Sequence, residues 1–346
     1  MTKLIVMRRY PDTETKGTGI GSYSDMLEFL LEENGVDHED VYFKLSTDEG
    51  YMKCLRRGFI GPALILRKTD CQLYHATDEL CCMAFPRIKG KKVVTFHHVS
   101  KSREGNSPLL LAVWKMVAKR AVKYSDAIIA VSQQTRDEII GQLGADPDKV
   151  FVLEHTIDPL FRDLGRPREK VIGFVGTLIE RKNVPAGIRA FKRFTEMPGT
   201  DGYRFVICGD GPMKDELVLL SESLGMADRI EFTSDLGKDE LLTFYNEMAV
   251  FANTSMHEGL GLTALEAQAC GAPVVFFRDA EIPKEATRYF VPSEDEEDFA
   301  QNMYRLAMDG SYRRSVTEGA SFGLSPKEYS KKLFEIYSEV LGTEFL

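Results

Sequence analysis

No stretch of this 346-residue chain holds the roughly 20 consecutive apolar residues of a membrane-spanning helix, so nothing in it reads as a transmembrane segment. Residues Met1–Arg9 are too short and wrongly flanked for a secretory signal; the expectation is a cytosolic protein, with at most a peripheral hold on the cytosolic membrane face. Metal and redox spacings are missing too. The six cysteines (Cys54, Cys71, Cys81, Cys82, Cys208 and Cys270) form no C-x-x-C pair and have no nearby histidine at zinc-ligand spacing, so neither kind of site is expected. There is one tryptophan, no low-complexity tract, and no internal repeat beyond two α/β halves. The net charge of −9 gives no reason to expect a nucleic-acid partner.

What is present is alternation. Lys3–Met7, Val41–Leu45, Ala63–Leu66, Cys71–His75, Val93–Phe96, Ala127–Val131 and Val150–Leu153 read as strands of a first half. Val171–Val175, Arg204–Cys208, Ile230–Thr233 and Met248–Ala252 read as strands of a second, and the length suits two α/β cores. The polar stretch Arg162–Lys170 reads as the linker, giving units 1–165 and 166–326 followed by an amphipathic helix within 327–346. Ser132 is placed to cap a helix over Thr135–Leu143, and an acidic helix is expected over Glu294–Met308. Charge is uneven: residues 51–125 hold 15 basic and 4 acidic residues, whereas 166–346 hold 21 and 30. The helix Ser107–Lys123, with Ser107 at its N-cap, sets Trp114 beside Lys115, Lys119, Arg120 and Lys123. Its apolar face is expected to pack on a sheet, while a basic face with an interfacial tryptophan also fits a membrane-surface element.

The chemistry concentrates in Ser255–Val275. Here an apolar run leads through Gly259-Leu260-Gly261 into a helical stretch, Leu262–Cys270, stopped by Gly271-Ala272-Pro273. Free N–H groups at such a helix start suit an anion such as a diphosphate. Glu258 before the helix and Glu266 one turn inside it lie on the order of 8–12 Å apart by helical rise. The pair can accept hydrogen bonds from hydroxyls on either side of a phosphate, which is the layout of a sugar nucleotide. A second strand-turn-helix, Gly176-Thr177-Leu178-Ile179-Glu180-Arg181-Lys182-Asn183, sets Arg181 and Lys182 at a helix start that Asn183 is expected to cap. A further glycine loop, Gly17-Thr18-Gly19-Ile20-Gly21, precedes a helical pattern; such loops also occur in ordinary turns and in dinucleotide-binding domains.

Glu258-x7-Glu266 within Glu-Gly-Leu-Gly-Leu and Gly-x-Pro-Val-Val resembles the signature of the retaining glycosyltransferases of family 4. The resemblance extends to Gly19-Ile20-Gly21, His97 at the end of Val93–Phe96, Val131-Ser132, the Arg181-Lys182 turn and Gly209-Asp210-Gly211-Pro212. His98 replaces an aspartate of the family, and Glu154-His155-Thr156-Ile157-Asp158 keeps only the Asp of the usual Pro-Asn-Gly-Val-Asp. Asp146-Pro147-Asp148 imitates the metal-binding Asp-x-Asp of a different glycosyltransferase fold but sits in a Pro turn, and is rejected as a metal site. The resemblance implies a GT-B fold, two Rossmann-like doubly wound domains facing a cleft, with the terminal helix crossing back to the first. It implies transfer from a nucleoside-diphosphate sugar with retention and no metal. Acceptor binding falls to the first domain, where the basic region leads us to expect an anionic glycan, lipid or sugar phosphate. His97, Arg181, Lys182 and Glu258 are the expected catalytic residues. Gly19, Gly21, Gly176, Thr177, Arg181, Lys182, Gly209, Gly211, Glu258, Gly259, Leu260, Gly261, Leu262 and Glu266 are the expected donor contacts, with Ser234–Leu236 by the base. A sugar-nucleotide epimerase or phosphorylase on the same fold, a nicotinamide dehydrogenase and a non-catalytic sugar-binding protein stay open as alternatives.

Overall fold

The computed structural model describes residues 4–9, 19–43, 66, 71–99, 108–234, 236–320 and 323–346. Its contacts divide the chain into two units, Met1–Thr156 with Leu324–Leu346, and Ile157–Gly323. Each is built on one parallel sheet.

In the first unit the strands are β1 (Leu4–Arg9), β2 (His38–Phe43), β3 (Leu73–Ala76), β4 (Lys91–Phe96), β5 (Ala127–Ala130) and β6 (Val150–Val152). They lie in the order β2-β1-β3-β4-β5-β6, all parallel. A parallel sheet is covered on both faces, which is why its strands are apolar throughout. Alternation then decides which face each residue serves. Ile5, Met7, Val94, Phe96, Ile128 and Ala130 pack with Cys81, Phe85, Trp114 and Ala118 on one face. On the other, Leu4, Val6, Val93, Ala127 and Ile129 pack with Tyr23, Leu27 and Leu30, and with Tyr329, Leu333 and Tyr337. Those last three come from the helix Pro326–Leu341, opened by a Ser325/Glu328 capping box and closed by Gly342.

In the second unit β7 (Val171–Val175), β8 (Arg204–Cys208), β9 (Ile230–Thr233), β10 (Val250–Asn253), β11 (Val274–Phe277) and β12 (Val291–Ser293) form a sheet in the order β12-β11-β10-β7-β8-β9. Read from β9, this is the doubly wound order in which the winding reverses between β7 and β10, and ligands bind beyond the carboxyl ends of the strands at such a reversal. The helices Val184–Phe194 and Glu296–Met308 cover one face, and Lys238–Glu247 and Leu262–Ala269 the other. Asp295 caps the acidic helix by accepting from Asp298 N.

Of the expected strand over Ala63–Leu66 only Leu66 is described, and it is buried and helical rather than extended; residues 10–18 ahead of Gly19 and the Ser107 cap lie outside the described residues. The unit boundary falls at Thr156/Ile157, ahead of the expected linker. The stretch Arg162–Lys170 is instead fastened within the second unit. Arg168 donates to Tyr245 O (2.8 Å) and Cys270 O (2.7 Å), satisfying carbonyls at the ends of two helices, and Leu164 N donates to Asn246 Oδ1 (2.7 Å).

Candidate active site

The winding reversal of the second sheet gathers most of the expected donor residues. After β7 the chain passes Gly176 and Thr177, makes a short turn over Glu180–Lys182, and enters the helix Val184–Phe194. Asn183 does not cap this helix with its side chain. It sits at φ +47°, left-handed, and the tight turn that this conformation makes is its contribution. Backbone bonds tie the loops after β7 and β8 together: Gly176 N to Cys208 O (3.0 Å), Leu178 N to Asp210 O (2.8 Å) and Met213 N to Leu178 O (3.1 Å). A Cβ on Gly209 would stand 1.9 Å from Gly176 O, and one on Gly211 2.5 Å from Leu178 O. These two positions are glycine because two backbones meet there.

Beyond β10, Thr254 Oγ1 donates to Lys182 O (2.6 Å) and Met256 N to Arg181 O (2.9 Å), stitching the β10 loop to the cationic turn. Glu258 is thereby set against both cations. Lys182 Nζ is 2.5 Å from its Oε1, and Arg181 Nη1 is 3.1 Å from its Oε2 while also donating to His257 O (2.9 Å). Lys182 and Glu258 are each 8% exposed, so this ion pair is buried and not a surface one. Burial pushes the Glu258 carboxyl up, but Lys182 and Arg181 outweigh it and hold the group well below the usual carboxylate range. Burial likewise lowers Lys182, with Glu258 opposing.

The helix Leu262–Ala269 follows, with Gly261 at its N-cap in the left-handed conformation (φ +84°) and Leu260 buried beneath the loop. Ala264 N and Leu265 N donate back to Gly261 O (3.1 and 3.2 Å), so by helix geometry only the N–H groups of Leu262 and Thr263 lack a partner within the helix. One turn in, Glu266 is 6% exposed and accepts from Tyr245 Oη at 3.0 Å. Burial pushes its carboxyl up to about 7, with Tyr245 and Lys238 pulling down and Asp158 pushing up. Sequence reasoning missed Tyr245, which reads as one more core aromatic on an amphipathic helix.

The carboxyl edge of the first sheet is different in kind. Gly19 and Gly21 fall inside the first turn of the helix Gly19–Glu33 rather than in a loop ahead of it, and Thr18 lies outside the described residues. His97 Nε2 lies 2.8 Å from Thr77 O, so that nitrogen carries the proton. Its Nδ1 is then the acceptor for His155 Nε2–H at 3.3 Å, and both of its nitrogens are engaged. The two imidazoles stack at 5.3 Å, with Tyr23 against each. Below them Tyr23 Oη, Thr95 Oγ1, His75 and Tyr337 Oη form a chain of contacts of 2.6–2.9 Å. Burial lowers His97 to about 4 and His75 to about 3, so both rings are neutral near pH 7. His155, His75, Tyr23 and Thr95 were not expected at this edge; only their convergence in space marks them.

Trp114 is 3% exposed and donates Nε1–H to Glu79 Oε1 at 2.6 Å, so it is a core residue and not an interfacial anchor. Lys115, Met116, Lys119 and Lys123 remain exposed on that helix. Among the described residues no helix is long and apolar enough to cross a membrane, and no three His, Cys, Asp or Glu side chains are placed to hold a metal. Asp146 accepts from Asp148 N in a tight turn.

Residues 157–321 match the family model "Glycosyl transferases group 1", and residues 32–160 match "Glycosyltransferase Family 4". The D-inositol 3-phosphate glycosyltransferase of Corynebacterium jeikeium is 32% identical over 211 residues, covering 57% of this chain and 50% of that protein. The chain spans about half the length of the curated relatives it matches. Among solved structures, Anabaena Alr3699/HepE in complex with UDP and glucose superposes with a TM-score of 0.72 at 18% identity, over 98% of this chain and 100% of that one. The sucrose-phosphate synthase of Thermosynechococcus elongatus does so at 0.75 and 16%, over 99% and 97%. Both likenesses concern the fold, and the two doubly wound units are those of GT-B proteins. With the two family models together spanning residues 32–321, the chain belongs to the group 1 glycosyltransferases.

Proposed function

We propose that the protein is a retaining glycosyltransferase that moves a sugar from a nucleoside-diphosphate sugar to a hydroxyl of an anionic acceptor, without a metal. The observation that carries this reading is the convergence of Arg181, Lys182, Glu258 and the open first turn of Leu262–Ala269 at the winding reversal of the second sheet. Two cations and the N–H groups of Leu262 and Thr263 suit a diphosphate whose charge grows as the glycosidic C–O bond breaks, and they can fill the electrostatic role of a divalent ion. In the front-face reaction that the family resemblance implies, the acceptor hydroxyl forms the new bond on the face the diphosphate leaves and passes its proton to the leaving phosphate oxygen. Glu258 holds hydroxyls of the donor sugar once the diphosphate has taken its cations. Glu266 holds the ribose diol. For the acceptor, a soluble phosphorylated cyclitol or sugar is favoured over a lipid: the Corynebacterium relative is a D-inositol 3-phosphate glycosyltransferase, and Trp114 is unavailable as a membrane anchor.

Calorimetry with UDP, GDP and ADP tests donor binding, and UDP is first because it occupies the Anabaena structures. Glu266→Ala should weaken the preferred nucleotide by about 1–3 kcal/mol, the loss of charged hydrogen bonds to a diol. Proton NMR of the product anomer decides retention, and activity undiminished by EDTA decides metal independence. Nucleotide release that does not require an acceptor hydroxyl would reject the transferase reading.

A further inference from the structure

Glu266 raises a geometric problem for any ribose contact. A carboxylate that grips a diol must be both ionised and aimed, yet this one is 6% exposed and, among the described residues, has no cation bonded to it. Its one protein hydrogen bond among the described residues comes from Tyr245 Oη to Oε2 at 3.0 Å, which leaves Oε1 open. Tyr245 has no freedom to do otherwise. It is 0% exposed, and its ring is packed between Phe161 (5.5 Å between centroids), Phe251 (6.2 Å) and Phe244 (6.5 Å). A hydroxyl on so fixed a ring is a fixed point for the carboxylate.

We propose that Tyr245 is a positioning residue for the donor: its hydroxyl pins one oxygen of Glu266 and aims the other at the ribose diol. The proposal rests on the ribose assignment above and adds the residue that makes it work. Tyr245 acts twice. It fixes the rotamer, and by donating to the charged form it opposes the upward push of burial on a carboxyl that stands at about 7 with this bond in place. The other groups facing Glu266 are Asp158, which raises it, Lys238, which lowers it, and Cys270 at the end of its own helix; Cys208 faces Tyr245. Asp158 and Lys238 pair with each other at 3.1 Å, so their opposed effects on the carboxyl come from one ion pair.

The test is the pH dependence of nucleoside-diphosphate affinity, measured by calorimetry on the full chain. In the wild type, Kd should tighten as pH rises toward about 7 and level off above it. Tyr245→Phe keeps the ring and removes the hydroxyl. It should weaken binding at neutral pH by about tenfold, the worth of one hydrogen bond to a charged group, with the affinity recovering at higher pH. The kcat at saturating donor should stay near the wild-type value, because the role concerns binding and not the reacting bond. A ring-fluorinated tyrosine at position 245 is a stronger donor of nearly the same shape, and should move the midpoint to lower pH. Opposite shifts from these two changes support the proposal, and a purely structural tyrosine would not give them. If both midpoints match the wild type while Glu266→Gln loses affinity, the positioning role is wrong and the ribose assignment stands. If Glu266→Gln binds as well as wild type, the ribose assignment falls and takes the proposal with it.

Discussion

At the carboxyl edge of the first sheet, His75, His97, Tyr23 and Thr95 meet as neutral groups that largely satisfy one another. At the same edge of the second, Arg181, Lys182 and Glu258 form a tight ionic cluster beside an open helix start. Both edges come from the same strand-turn-helix unit, so the difference lies in what the turns carry. At the first edge these polar side chains are bonded mainly to one another. The second holds cations whose present partner, Glu258, occupies the place of an anion.

The largest effect should come from removing a cation. Lys182→Ala leaves Glu258 buried with only Arg181, and should cost about 3–5 kcal/mol of unfolding free energy, much of it recovered when Glu258→Gln is added. Urea titrations followed by circular dichroism measure this. A cost under about 1 kcal/mol would make the pair a surface ion pair in energetic terms and erase the contrast.

Next is acid. His97 sits at about 4 in the fold against an ordinary 6.5, so the unfolded chain takes up a proton that the folded chain refuses. Its contribution to stability is therefore full above about pH 6.5 and is lost as pH falls toward 4, on the order of 3 kcal/mol in all. Glu266 has the opposite sign. Its folded value of about 7 lies above the usual 4.5, so the fold holds a proton that the unfolded chain releases, and its contribution declines as pH rises through that window. Mild acid should thus weaken the first unit while relieving Glu266 in the second. Trp114 lies in the first unit and is the sole tryptophan, so its fluorescence isolates that half of the comparison. His97→Asn should make the fluorescence-detected profile shallower, with the buried His75 and His155 supplying the remaining acid sensitivity.

Smaller effects sharpen the second edge further. Gly209→Ala forces a Cβ against Gly176 O and should cost about 1–3 kcal/mol, visible by circular dichroism but not through Trp114. Asn183→Gly relieves a left-handed residue that makes no capping bond, and should raise the melting temperature through a gain of about 0.5–1 kcal/mol.

The fold was legible because buried parallel strands are written as apolar runs, as in Val171–Val175 and Ala127–Val131, and because Gly271 and Ser132 mark helix ends in the chain itself. Arg181, Lys182 and Glu258 were legible as residue types. Their mutual pairing was not, since 76 residues separate Lys182 from Glu258 and only the β7–β10 adjacency joins them. Tyr245 and His75 were invisible for a different reason: a tyrosine or histidine on a buried face looks the same in sequence whether its polar atom is idle or holding a neighbour. Asn183 misled because its residue type suits both an N-cap and a left-handed turn, and the backbone chose the second.

The first unit is made of two separated pieces of chain, residues up to Thr156 and those from Leu324 onward, whereas the second is continuous. On the ribosome, Leu324–Leu346 therefore emerge only after the whole of Ile157–Gly323. At about 5–20 residues per second that is a wait of roughly 10–30 s. Until then the sheet face bearing Leu4, Val6 and Ile129 lacks the cover of Tyr329, Leu333 and Tyr337, and His75 lacks its Tyr337 partner. The second unit can complete its core during synthesis, while the first waits with an apolar strip exposed. It is the nascent first unit, rather than the later-made second, that needs protection from aggregation during translation.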